Sequence, residues 1–207
     1  MYHRVKSEQA LIRTGIGGVV VRFTGLWVLP IVHRAQFMDI STKKIVIPRK
    51  GRQGLICKDN IRADIELAFH VRVRPTPQDV LQVYRSFGAE KASDEEMLSS
   101  IFDAKFVGAM KTAAKSYDFK DLVDGRDAFS NQVTEFIGED LHGFVLESAV
   151  IEHLGQTPIE FLDPNSILDA EGIKKITEER MEREVRENTI RRKKEREEAK
   201  ERARRGV

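Results

Sequence analysis

The chain has 207 residues, of which 41% are hydrophobic and 33% are charged. That length and apolar content suffice for one domain, or two small ones, with a real core, and they exclude a wholly disordered chain. A single cysteine excludes an internal disulfide and a cysteine-based metal cluster. The chain also contains no run of about 18 apolar residues, which a helix needs to cross a bilayer.

The formal net charge of +2 is unevenly distributed. Residues 170–207 carry 14 Lys and Arg against 10 Asp and Glu, a net charge of +4, whereas residues 1–169 carry a net charge of −2. The pattern indicates a nearly neutral body followed by a basic, highly charged arm.

The first part of the chain favours β structure. Strands are predicted at 5–12 and 19–23, with a glycine turn between them at 15–18, and further β segments follow. A phosphate-binding loop is not indicated there, because a strand pattern and not a helix follows the glycines. The clearest strand covers 61–73, where every odd position is apolar and the even positions are mostly polar, so one face should be buried.

Three helices and one more strand are predicted next. Thr76, Pro77 and Asp79 form a capping box, and a second box is predicted to open a helix at Ser93. A third helix is predicted over 126–142, and the apolar segment 144–154 is predicted as a strand buried on both faces.

A linker at 157–165 leads into one long helix from 166. Glu precedes Arg by four residues at five places, including Glu179–Arg183, an order that stabilises a solvated helix by roughly 0.2–0.5 kcal/mol per pair. The helix should therefore project from the body. The acids between its bases, and its lack of aromatic side chains, argue against nucleic-acid binding, which stays the weakest alternative.

No catalytic, metal or cofactor site is indicated. The five histidines (3, 33, 70, 142 and 153) show no metal-ligand spacing, and Cys57 has no evident histidine partner, so it is interpreted as structural. The acid pairs at 95–96 and 139–140 suit a helix start and a wet helix face. The chain is therefore predicted to be no enzyme and to need no cofactor.

Four segments, in this order, resemble the SPFH (band 7, prohibitin-homology) family, which includes stomatin, prohibitin and flotillin. They are EQALIRTG at 8–15, GLWVLPIVH at 25–33, the turn and strand at 58–73, and LDPNSILDAEGI at 162–173. The last segment is most similar to the flotillin-like branch. That branch usually adds an N-terminal membrane segment and a longer coiled coil, so we expect the chain to be part of a longer protein.

The resemblance implies an α+β fold with an antiparallel β part at 1–50, an α/β part with about three helices on the sheet at 51–156, and a linker and charged helix at 157–207. It also implies a non-enzymatic scaffold that homo-oligomerises to organise membrane microdomains, on the cytoplasmic face in the full-length protein, while this fragment is soluble. The partners expected are further copies of the chain and membrane lipids. The alternative that the resemblance leaves open is an adaptor that regulates a membrane protease.

Two residue sets are predicted to carry this function. The apolar segment before His33 is either a core segment or a membrane contact, with Trp27 at the interface. Its candidates are Phe23, Leu26, Trp27 and Leu29. The seam of the helical arm is predicted at Ile173, Ile176, Met181 and Val185.

Overall fold

The computed structural model describes residues 2–3, 6, 8–28, 31–139 and 141–205, and it describes no side chain at 2, 3, 26, 202, 203 and 205. Its α+β class confirms the prediction. The strands are β1 (Tyr2–His3), β2 (Gln9–Gly15), β3 (Val20–Arg22), β4 (Leu26–Trp27), β5 (His33–Asp39), β6 (Lys43–Arg49), β7 (Leu55–Ile56), β8 (Arg62–Val73) and β9 (Phe144–Gln156). The helices are α1 (Pro77–Phe87), α2 (Ala89–Ser93), α3 (Glu95–Ala114), α4 (Phe119–Asp124), α5 (Arg126–Ile137) and α6 (Ile167–Arg205).

The first sheet is antiparallel, with β2 between β3 and β5, and β1 pairs separately with β4. Its central strand was predicted at 5–12 but lies at Gln9–Gly15, where it pairs with β5 from Gln9–Asp39 to Gly15–His33. The polar residues Arg13 and Thr14 continue the strand because backbone pairing with β5 continues past the last buried side chain.

The second sheet is organised around β8. Strand β9 pairs along one edge of β8, and β6 and β7 pair along the other. The odd-numbered side chains of β8 are buried, as the alternation predicted, and the even-numbered polar ones are partly exposed. Because β6 belongs to this sheet, the first part predicted at 1–50 contributes a strand to the second; the domain division itself stays a prediction.

Strand β9 corrects one expectation. It was predicted to be buried on both faces, but after the buried Phe144 its side chains are partly buried or exposed, and Val150 is 47% exposed. Two irregularities in its pairing with β8 leave Glu147 and Glu152 unpaired on the backbone. Their carboxylates form ion pairs with Arg72 at 2.6 Å and Lys44 at 2.5 Å, so this face of the sheet is polar.

The helices cover the apolar face of the second sheet. Phe106 of α3 packs against Phe69 of β8 with ring centroids 4.4 Å apart, and α5 packs on α3 and β9. The Thr76 cap of α1 is confirmed. The box predicted at Ser93 is wrong, because Ser93 ends α2 and Asp94 caps α3. Helix α5 ends at Ile137, earlier than predicted, because Gly138 adopts a positive φ of 70°.

Among the described residues, the buried contacts of helix α6 with the body lie near its start. Asp169 accepts hydrogen bonds from Arg62 Nη2 at 2.7 Å and from the Asp163 amide at 3.1 Å. Gly172 allows close contact, because a Cβ there would lie 2.4 Å from the Asn60 carbonyl oxygen. Ile176 packs against Ile61, and beyond it almost every described side chain is exposed. The helix therefore projects, as its charge pattern predicted.

The ion pairs found among the described side chains of α6 differ from the predicted ones. Two of the five predicted Glu–Arg pairs end on Arg202 and Arg205, whose side chains lie outside the described residues, so those two stay predictions. Among its described side chains, Lys174 pairs with Glu178 at 3.9 Å and Arg191 with Glu195 at 4.0 Å, and in both the base precedes the acid. None of the helices in the described part of the chain combines the length and apolarity that a membrane span requires.

We expect Asp169→Ala to destabilise the fold by about 3 kcal/mol, because it leaves the Arg62 side chain, only 13% exposed, without its ion-pair partner. Burial alone would raise the pKa of Asp169, but the Arg62 and Asp163 hydrogen bonds lower it below its ordinary value of 3.8. The ionised Asp169 carboxylate therefore stabilises the fold fully above pH 3.8, and this stabilisation is lost as the pH falls through the lowered pKa of the folded state. Urea unfolding of the unaltered protein and of Asp169→Ala, from neutral pH down to below the pKa of Asp169, measures the difference in unfolding free energy.

The matched control for this prediction is Lys174→Gln, which removes an exposed ion pair on the same helix and should change the unfolding free energy by less than about 0.5 kcal/mol. Equal effects of Asp169→Ala and Lys174→Gln at neutral pH would contradict the anchoring role of Asp169.

Candidate functional site

Two loops meet at one end of the first sheet. Gly15, at the end of β2, pairs with His33 at the start of β5, and His33 Nε2 donates a hydrogen bond to the Ile16 carbonyl oxygen at 3.1 Å. A Cβ at Gly15 would lie 2.1 Å from the Val32 carbonyl oxygen, and Gly15 has a φ of 141°. Only glycine fits this contact, so the turn after β2 is held against the segment that enters β5.

These loops expose large apolar side chains. In the loops, Ile16 is 74% exposed and Ile31 is 98% exposed, and Trp27, the last residue of β4, is 69% exposed. Val19 and Val32, in the same two loops, are 38% and 37% exposed. We call these five residues the apolar loop edge. Val28, in contrast, is only 3% exposed, so the segment is divided between a core residue and an exposed surface.

The four predicted membrane-contact residues occupy different positions. Trp27 is exposed, as a contact residue must be. Phe23 is partly buried against the main core, which favours the core interpretation at that position. The Leu26 side chain and all of Leu29 lie outside the described residues. Sequence reasoning did not select Ile16, although an isoleucine inside a glycine turn is a sign of an exposed apolar tip.

The predicted seam of the arm is also divided. Ile176 is 4% exposed and packs with Ile61 and Leu162, and Ile173 packs partly against the same cluster. Both residues therefore help to attach α6 to the body of the same chain. Met181 and Val185 are 63% and 65% exposed and lie one turn apart, so they are the predicted seam residues that remain free to contact another molecule.

Cys57 lacks the environment of a reactive thiol. It is 1% exposed, and burial, followed by the charges of Asp59 and Asp118, raises its pKa to about 12. This supports the structural interpretation. Across the described ranges, His, Cys, Asp and Glu side chains nowhere gather in a group of three or more that could hold a metal ion.

The profile of the SPFH domain / Band 7 family matches residues 3–205, and the chain therefore belongs to this family. It is 35% identical over 193 residues to the flotillin family inner membrane protein YqiK of Escherichia coli, covering 92% of this chain and 35% of YqiK. It is 24% identical over 180 residues to the flotillin family inner membrane protein sll1021 of Synechocystis, covering 83% of this chain and 26% of that protein. The chain thus spans about a third or less of the length of these relatives.

We expect native Cys57 to react with a thiol reagent such as DTNB at least about a thousandfold more slowly at pH 8 than the unfolded chain does, because burial and a raised pKa remove the reactive thiolate. The measurement is the absorbance time course with and without 8 M urea as denaturant. Comparable rates in both conditions would show that Cys57 is accessible.

Proposed function

We propose that the chain is the scaffold domain of a membrane-associated protein that homo-oligomerises and organises membrane microdomains. Membership of the SPFH family and similarity to two flotillin family inner membrane proteins support the membrane association. The observation that carries the proposal is the apolar loop edge, in which exposed apolar side chains occupy two loops at one end of the first sheet and the end of β4, which leads into the second of these loops. The loop edge is proposed to contact the membrane and to have no enzymatic role.

The loop edge has the chemistry of a shallow membrane contact. Trp27 offers a large ring with a polar N–H, a combination that suits the boundary between headgroups and acyl chains. Ile16 and Ile31 offer aliphatic side chains that are 74% and 98% exposed. A few such side chains give weak and reversible attachment, so stable attachment needs many copies or a further membrane segment.

The arm supplies the means of assembly. Its exposed apolar pair, Met181 and Val185, is surrounded by charged residues of both signs, which can set the register between identical helices. Two apolar positions are too few for strong pairing. We therefore propose that this chain alone is a monomer or a small oligomer and that a longer coiled coil supports large assemblies.

We expect the double variant Trp27→Glu, Ile31→Glu to lower partitioning onto lipid vesicles roughly tenfold, because charged side chains replace apolar ones at the contact. The measurement is vesicle flotation of the 207-residue protein. Phe136→Glu is the matched control, because Phe136 is also an exposed apolar residue, at 45%, but lies on α5. If a folded double variant floats as the unaltered protein does, the loop edge is not the membrane contact.

We expect Val185→Cys to form intermolecular crosslinks with a short bismaleimide more readily than Glu187→Cys does, because Val185 lies on the proposed seam and Glu187 about half a turn away. Cys57 is buried and should not compete for the reagent. Gel electrophoresis after crosslinking at several protein concentrations gives the result. Equal yields at both positions would exclude a seam on that face, and a stable large ring by light scattering would contradict the proposed weak assembly of this chain.

A further inference from the structure

A basic cavity lies beneath α3, apart from the loop edge and the seam of the arm. Its volume is about 900 Å³, and it lies open to solvent between the second half of α3 and the segment that connects β6 to β8. Five cationic side chains and one carboxylate line it: Arg49, Arg52, Arg62, Lys111, Lys115 and Asp103.

Two of the arginines are already engaged and hold the walls in place. Arg49 Nη2 donates to both carboxylate oxygens of Asp103, at 2.9 and 3.0 Å, and this joins β6 to α3. Arg62 Nη1 donates to the carbonyl oxygens of Arg52 and Gly54, each at 3.0 Å, while its other nitrogens hold Asp169. The wall at 52–54 is therefore fixed by hydrogen bonds before any ligand binds.

The other three cations remain available. Arg52, Lys111 and Lys115 are exposed, and no carboxylate of the described residues lies within 4 Å of their charged nitrogens. Lys111 is in the last turn of α3 and Lys115 caps its C-terminus four residues later, and Arg52 is on the opposite wall. Three unneutralised positive charges around one cavity favour an anionic ligand.

The cavity also has an apolar floor and free space. Leu55 and Val107 are buried beneath it, and Ala104 and Gly108 leave the α3 wall without long side chains. A Cβ at Gly108 would meet no atom within 4 Å, although glycine inside a helix costs roughly 1 kcal/mol relative to alanine. The volume falls within the range of about 300–1,000 Å³ typical of small-molecule sites.

We propose that this cavity binds a phosphate-bearing small molecule. A phosphate group offers up to two negative charges and three acceptor oxygens, which match one guanidinium and two ammonium groups. The apolar floor would contact the organic part of the ligand. This site is separate from the loop edge and the arm seam, and the proposal does not depend on membrane attachment.

The test is isothermal titration of the 207-residue protein at low salt with pyrophosphate and with ATP, both without metal ions. We expect saturable binding of both. The triple variant Arg52→Gln, Lys111→Gln, Lys115→Gln should raise the dissociation constants at least about tenfold, because it removes the charge-assisted hydrogen bonds. Gly108→Trp keeps every charge but fills the cavity, so it should weaken ATP binding; Gly108→Leu replaces it if the tryptophan variant does not fold.

The matched control is Lys193→Gln, Lys194→Gln, Arg196→Gln, which removes three positive charges from the exposed arm. It should leave both dissociation constants within about twofold, since these positions are remote in sequence from every residue lining the cavity. Equal losses in the control and the cavity variant would show unspecific attraction to a basic protein and overturn the proposal, as would an absence of binding.

Two further titrations identify the source of the anion. Vesicles with and without phosphatidic acid show whether a lipid headgroup supplies the phosphate. If the unaltered protein binds pyrophosphate, ATP and the phosphatidic acid vesicles, and the cavity triple variant binds the vesicles more weakly, the result supports the phosphate site. Binding of a hexaglutamate peptide in place of pyrophosphate and ATP would overturn the proposal, because it would assign the cavity to an acidic protein segment.

Discussion

The central position of β8 is the constraint on which the other elements depend. Both of its edges are hydrogen-bonded, and its odd-numbered side chains form the middle of the core beneath α3 and α5. Its first residue, Arg62, holds the start of α6 and the wall of the basic cavity. Its last residue, Val73, leads through a short turn into the Thr76 cap of α1. One strand therefore sets the relative position of the sheet, the helices and the arm.

Local signals predicted the elements best where two kinds of evidence agreed. The alternation at 61–73 and the cap at Thr76 were read correctly, because hydrophobic period and turn chemistry point to the same structure there. Ser93 misled because Asp94 beside it makes the better cap, accepting hydrogen bonds from the amides of Glu96 and Met97. For β9 the sequence shows apolar residues but not the bulges that turn Glu147 and Glu152 towards basic partners.

The candidate site was harder to predict, because the sequence does not distinguish an apolar residue in the core from one exposed at the surface. Val28 and Trp27 are neighbours in one apolar run, yet Val28 is 3% exposed and Trp27 is 69% exposed. The same limit applies to the arm, where Ile176 and Met181 fit one helical stripe but only Ile176 reaches the body. The basic cavity depends on residues between positions 49 and 115, so no local motif could reveal it.

The attachment of α6 has a mechanical consequence. Its contacts with the body, from Asp169 to Ile176, lie within the first quarter of a helix of 39 residues. The remainder is a stiff lever that extends roughly 44 Å beyond Ile176, so tilting its base by about 5° moves its tip by roughly 4 Å. The close contact between Gly172 and Asn60 limits that tilt. In an assembly of identical copies, a glycine near the base would thus set the spacing between helix tips far from it.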